Sequence, residues 1–302
     1  MIIYLSSLPL NVLQAFHRRI PDATLNVLQT YFYLDNPTVF ADEHRSKIKS
    51  LVLDSGAFSL QSKFKGNAFV EESDRLFRKY KIYLSVAKDK YDFVINMDDR
   101  FDPAGFEHNL GRLADLKAAG INAVPVIHDL KGSEIDYFID HGYKIVAIGQ
   151  CKGQQRDKLE VIGPVVDKLW AAGVKVHILG VTKLDVIEHV PAFSCDSVSW
   201  SDYSFRGQVM FWNSKKNGIR KADTLYFQKF QGKNPSSKGI PYFDYEYRDD
   251  FEAYIYEKLG LTYQDLLGMD KDLNRKLVNI LYFHEQEERI TEIHREKRWL
   301  LE

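Results

Sequence analysis

The chain has 302 residues, 45% of them hydrophobic and 27% charged, enough apolar material for one large domain or one barrel with an appendage. Lys and Arg (41) nearly balance Asp and Glu (42), giving a formal net charge of −1 that excludes a chain-wide polyanion-binding surface. The two cysteines, Cys151 and Cys195, are too few for a disulfide framework and point to a reducing compartment.

Residues 2–5 read as a short apolar strand. They carry no basic n-region or cleavage site, so no signal peptide is expected. No run approaches the roughly 20 apolar residues that cross a bilayer, so a cytoplasmic protein without a membrane partner is expected. Residues 10–18 have helical spacing after Pro9, and residues 21–49 are mixed and receive no assignment. Residues 51–54 form a buried strand that runs into Asp54-Ser55-Gly56, its exit turn. Residues 71–86 predict an amphipathic helix with Leu76, Phe77, Tyr80 and Tyr83 on one side. Strands follow at 92–97, 123–127, 144–148, 174–179 and 195–199, and helices at 109–119, 133–141, 158–172 and 184–189. Gly120, Gly142 and Gly173 stand where three of those helices stop. Residues 224–227 are a candidate eighth strand.

Alternating strands and helices imply parallel strands with helical crossovers. Polar residues follow nearly every strand, which fits a (β/α)8 TIM-type barrel better than an open sheet, since barrel chemistry gathers at the C-terminal strand ends. No dinucleotide fingerprint or P-loop is present. Asp54, Asp98, Asp99 and Asp196 stand at such ends, beside His128, Gly149, Gln150 and Gly180. Asp54 alone reads equally as a loop cap or a catalytic group. Several acids at one mouth are harder to explain as stability, because like charges disfavour one another. Separated carboxylates suit chemistry at a glycosidic carbon.

Residues 206–238 hold eight basic residues (among them Arg206, Lys215, Lys216, Arg220 and Lys221) against one acid, Asp223. Phe211, Trp212, Tyr226, Phe227 and Phe230 are interleaved. The stretch reads as a solvated basic excursion or as a phosphate-binding surface with stacking rings. The domain reading is therefore a barrel over residues 1–205 carrying the acids, a basic aromatic nucleic-acid-binding segment over 206–248, and a helical C-terminal tail over 249–302 packed on the barrel.

A set of short motifs, in shared order along most of the chain, resembles the tRNA-guanine transglycosylases. Asp54-Ser-Gly-Ala-Phe58 resembles their Asp-Ser-Gly-Gly-aromatic motif, and Met97-Asp98-Asp99-Arg-Phe-Asp-Pro103 their Phe-Asp-Glu-Cys-x-Pro segment. Val126-Ile-His128-Asp129 falls where they have Val-Gln-Gly, and Ile148-Gly149-Gln150 resembles Ile-Gly-Gly. His177-Ile-Leu179-Gly180-Val181 resembles Leu-Met-Gly-Val-Gly. The stretch from Cys195-Asp196 to Asp202 resembles Val-Asp-x-Phe-Asp-Cys, and Asn279-Ile-Leu-Tyr-Phe283 echoes their closing helix. The resemblance implies that Asp196 is the nucleophile on the sugar C1′ and that Asp54 is the acid/base for departing and arriving bases. It implies a base pocket of Phe58, Asp98, Asp99, His128, Gly149, Gln150, Leu179 and Gly180.

The zinc-binding Cys-x-Cys-x-x-Cys of the tRNA enzymes has no counterpart, since residues 200–302 contain no cysteine. No zinc or other cofactor is therefore expected. The chain looks most like the DpdA-type DNA-guanine transglycosylases of phages and bacterial modification clusters. These place 7-deazaguanines such as preQ0 in DNA, so a free 7-deazaguanine base is the expected co-substrate and DNA is favoured over tRNA, with a homodimer allowed. Phosphate contacts fall to Arg206, Lys215, Lys216, Arg220 and Lys221. The alternatives are a zinc-free tRNA enzyme, a non-catalytic nucleic-acid-binding subunit, and an unrelated barrel hydrolase acting on a small molecule.

Overall fold

The computed structural model describes residues 1–34, 39–149, 158–216, 221–227 and 239–300. Chain contacts divide it into two compact units. Unit 1 comprises Met1–Ser7, Thr24–Ser197 and Ile290–Glu302, and unit 2 comprises Leu8–Ala23 and Val198–Arg289. The basic segment and most of the helical tail thus share unit 2.

Unit 1 is built on a curled sheet of eight parallel strands flanked by helices. The strands are β1 (Ile2–Ser6), β2 (Leu25–Thr30), β3 (Ile48–Asp54), β4 (Phe93–Val94), β5 (Val126–Ile127), β6 (Ile145–Ile148), β7 (Lys175–Ile178) and β8 (Ser194–Ser197). Their order in the sheet is β4-β3-β2-β1-β8-β7-β6-β5, and every pairing is parallel. Beyond the two end strands, Ile95 and Val124 form an isolated parallel bridge. There the Asn96 N–H donates to the Val124 carbonyl at 2.8 Å, and the Val124 N–H donates to the Val94 carbonyl at 2.8 Å.

The helices in chain order are α1 (Leu10–Arg19), α2 (Ala57–Lys63), α3 (Gly66–Ala87), α4 (Phe106–Ala118), α5 (Glu134–Asp140), α6 (Leu159–Ala171), α7 (Leu184–Ile187), α8 (Ser199–Phe205), α9 (Arg248–Leu259) and α10 (Asp272–Glu296). Helix α3 shows why they form. Phe69, Ser73, Leu76, Phe77, Tyr80, Leu84 and Ala87 are buried at helical spacing, and the Tyr80 hydroxyl donates to the Ile95 carbonyl at 2.8 Å. No helix among the described residues is long and apolar enough to cross a membrane.

Three sequence expectations are corrected. The strand missing from the apolar pattern is β2, Leu-Asn-Val-Leu-Gln-Thr, all six residues of which are buried although Asn26, Gln29 and Thr30 are polar. The candidate at 224–227 belongs to a separate three-stranded sheet in unit 2. There β10 (Ala222–Tyr226) pairs antiparallel with β9 (Gln208–Trp212) and parallel with β11 (Ile240–Pro241). Consecutive strands on a short connection take the antiparallel ladder, because a parallel one needs a crossover. Near β8, the strand expected to reach 199 ends at Ser197, and α8 starts at Ser199.

Register decides which side chains share the concave face of the unit 1 sheet, because alternate residues face alternate sides. Tyr4, Leu28, Val52, Ile95, Val124, Val126 and Ala147 pack there as one buried cluster, with Ile2, Phe93, Ile145 and Leu179 against it. Tyr4 is level with Asp196, Ser194 with His177, and His177 with Ala147. Two residues on from Tyr4, Val52, Val126, Ala147 and His177 stand Ser6, Asp54, His128, Gly149 and Leu179. The same alternation that fills the core therefore delivers a set of mostly polar residues to the C-terminal strand ends.

Unit 2 folds around buried polar anchors. Asn279 accepts the Met210 N–H at 2.8 Å and donates to the carbonyls of Trp200 and Gln208 at 3.1 and 3.2 Å. The guanidinium of Arg275 donates to the carbonyls of Ser204, Leu266 and Gly268 at 2.6–3.1 Å. Phe211, Phe227, Tyr242 and Phe251 form its aromatic core.

Candidate active site

Asp196 is buried on β8, accepts two hydrogen bonds and has the His177 ring beside it. The Ser6 hydroxyl donates to its Oδ2, the Gly180 N–H donates to its Oδ1 at 3.0 Å, and His177 Nε2 lies 3.2 Å from Oδ1. His177 is itself fully buried, with Nδ1 2.8 Å from the Ser194 hydroxyl. A histidine fixed at one nitrogen by a serine presents the other to the carboxylate in one orientation.

Asp54 ends β3, where its carboxylate accepts the Gly56 N–H at 3.0 Å. Burial, then the charges of Asp98 and Asp196, push its carboxyl up from 3.8 to about 7. Asp54 therefore feels the charges of both Asp98 and Asp196. Gly56 takes a left-handed φ of 86°, and a Cβ there would stand 2.5 Å from Phe32 Cβ and 2.8 Å from Thr30 Cγ2. Only glycine makes this turn against the end of β2.

Asp98 is buried, and His128 Nε2 lies 2.7 Å from its Oδ2. Burial raises its carboxyl above the ordinary value, and the His128 contact opposes that rise. The His128 backbone N–H donates to buried Glu134 at 2.7 Å, which anchors the end of β5. Across from it, a Cβ on Gly149 would stand 2.7 Å from His128 Cε1 and 2.8 Å from Val126 Cγ1, so glycine gives the ring its space. Phe101 stacks obliquely on His128 at 5.1 Å between centroids, and Phe58, 61% exposed, lies 6.3 Å beyond it. Leu179 packs on the interior cluster.

The other expected residues fare differently. Asp99 is turned to the helices: Arg112 donates to both carboxylate oxygens at 3.1 and 3.0 Å, His108 Nε2 lies 2.8 Å from Oδ1, and Ser73 donates to Oδ2. Arg112 in turn lies over the Phe77 ring at 4.5 Å. With its oxygens so engaged, Asp99 ties the strand end to the helices and does not join Asp98 and His128. Gln150 and Arg220 lie outside the described residues. Lys215 is paired with Asp250, and Lys216 with buried Asp223 at 2.6 Å, so the charges of both are already met within unit 2. Arg206 is exposed and Lys221 half-buried. Of the interleaved rings, Phe211, Tyr226 and Phe227 are buried and so unavailable for stacking on bases, while Trp212 lies 4.8 Å from the Arg289 guanidinium. Among the described residues no group of three or more His, Cys, Asp or Glu is arranged to hold a metal ion.

Sequence reasoning gave no role to Ser6, His177, Ser194 or Phe101. The alternation of His177 with Leu179 was a usable signal for the second, but the register that faces it to Ser194 and Asp196 emerges only from the fold.

No protein-family model matches the chain. No curated protein matches it either. A solved structure provisionally described as a fructose-1,6-biphosphate aldolase from Coccidioides immitis is similar at 11% identity and a TM-score of 0.47, over 94% of this chain and 88% of that one.

Proposed function

We propose that unit 1 is a closed (β/α)8 barrel whose strand-end acids exchange guanine in DNA for a 7-deazaguanine such as preQ0. The observation that carries this reading is the trio Asp54, Asp98 and Asp196, close enough that Asp54 is raised to about 7 by burial and by the other two. A carboxyl that changes charge near neutrality suits proton transfer, and a second carboxylate in fixed geometry suits attack at carbon. The Ile95–Val124 bridge supports closure of the barrel.

In this reading an Asp196 oxygen forms a bond to the sugar C1′ while the C1′–N9 bond breaks. The electron pair leaves on guanine N9, which takes the proton of the Asp54 carboxyl. The incoming 7-deazaguanine gives its N9 proton to the Asp54 carboxylate, N9 bonds to C1′, and Asp196 is released as a carboxylate. Asp98 would accept from the N1–H and exocyclic amine of the base, with His128 beside it and the Phe58 and Phe101 rings offering apolar faces. A target base inside a duplex must be flipped out to reach such a site.

Two observations favour a second reading, glycosyl transfer on a small molecule. The ion pairs of Lys215 and Lys216 and the burial of Phe211, Tyr226 and Phe227 reduce the phosphate-binding and stacking surface that the basic segment offered. Incubation of the protein with labelled guanine and matched DNA, tRNA and free guanosine separates the readings. Label in DNA is expected; label in guanosine alone overturns the nucleic-acid reading, label in tRNA alone overturns the DNA reading, and label in none overturns base exchange.

A further inference from the structure

At the opposite ends of the strands from the acids, unit 1 contains a cavity of about 570 Å³. Cavities of roughly 300–1,000 Å³ are the size that small-molecule sites take. Its apolar wall is made by Ile2, Phe93, Ile145 and Phe193. Lys144 and Lys175 stand at the entries to β6 and β7 and line it from one side. Lys175 is on the concave face, two residues before His177, and its ammonium lies 5.3 Å from the Phe193 ring centroid. Neither lysine makes an ion pair among the described residues.

The one acid in the lining, Asp92, does not offset them. Its Oδ2 accepts the Ser50 hydroxyl at 2.9 Å and the Leu51 N–H at 2.6 Å, and Arg45 pairs with it at 3.3 Å. The cavity thus presents an apolar, partly aromatic body with two ammonium groups on one side. Between it and Asp196 lie the rings of Tyr4, Phe93 and His177, whose centroids are 5.7–6.0 Å apart.

We propose that this cavity is a second binding site, for a small organic anion with a ring-sized apolar body. The apolar wall would take the body, and Lys144 and Lys175 would take the carboxylate, sulfonate or phosphate. The site stands apart from the strand-end acids and does not depend on their proposed activity.

Titration calorimetry with 1-naphthoate as the probe and 1-naphthylmethanol as its neutral counterpart tests this. Naphthoate is expected to bind at least about ten-fold tighter than the alcohol, a difference of about 1.4 kcal/mol. The double variant Lys144→Met/Lys175→Met should lose that preference, Ile145→Trp should fill the cavity and abolish binding of both, and Asp196→Asn should bind as the parent does. Circular dichroism confirms that each variant is folded, and the charge variant leaves the apolar wall intact should the tryptophan not be accommodated. No naphthoate binding up to about 1 mM, equal binding of acid and alcohol, unchanged preference in the lysine variant, or loss of binding in Asp196→Asn would each overturn the proposal.

Discussion

Asp54→Asn gives the sharpest test of how the acids sit together. Burial and two neighbouring carboxylates raise the Asp54 carboxyl from 3.8 to about 7. The native state therefore holds a proton that the unfolded chain releases at lower pH. Between about 4 and about 7 the native state binds more protons, so the stability of the fold falls as pH rises through that window and levels off above it. A tenfold change in proton affinity is worth about 1.4 kcal/mol, which sets a ceiling of about 4 kcal/mol; partial exposure of the carboxylate reduces this to about 2–3 kcal/mol. Asparagine keeps the shape and an acceptor for the Gly56 N–H but carries no charge. In urea unfolding at pH 4 to 8, Asp54→Asn should match the parent at pH 4 and exceed it by about 2–3 kcal/mol at pH 8. Equal pH slopes for the two proteins would refute the shared-acid reasoning. The same substitution should abolish turnover, so the site would hold its acids together at the expense of stability.

Arg112→Met should destabilise by about 3–5 kcal/mol in chemical unfolding, because it leaves Asp99 charged and buried; adding Asp99→Asn should restore much of the loss. His294 behaves oppositely to Asp54: burial pushes its imidazole down to about 4, with Nε2 2.8 Å from the Ile187 carbonyl, so it folds neutral. Stability should drop as pH falls from about 6.5 towards 4, by up to about 3 kcal/mol, and proton NMR should find this ring still neutral at pH near 5.5. Gly149→Ala should keep the fold at a cost of about 1–3 kcal/mol but displace the His128 ring from Asp98, which changed NMR chemical shifts of the His128 ring protons and loss of activity would report.

The acids were legible because each follows an apolar strand, and a carboxylate there must be paired or put to use. Asp98 and Asp99 were not separable, since successive residues of an extended chain face opposite sides. One meets His128, while the other meets Arg112. Strand β2 escaped because half its residues are polar yet buried, so no apolar run or alternation marks it. His177 and Ser194 look like ordinary strand residues until the register of β7 and β8 sets them side by side. Part of the basic segment is paired by residues at a distance in sequence: Asp250 meets Lys215 from 35 residues away, and Asp223 of β10 meets Lys216. Charge counted along a chain does not reveal which charges are already met.

The central claim is that Asp196 forms a bond to sugar carbon while Asp54 moves the proton. Its most direct test is to incubate the protein with a guanine-containing oligodeoxynucleotide, quench in denaturant, digest, and map any covalent adduct by mass spectrometry. The expected product is a base-free sugar joined to the peptide carrying Asp196, absent from Asp196→Asn and discharged by added 7-deazaguanine. An adduct on another residue, or efficient exchange of labelled guanine with no adduct trapped and Asp196→Asn still active, would contradict it.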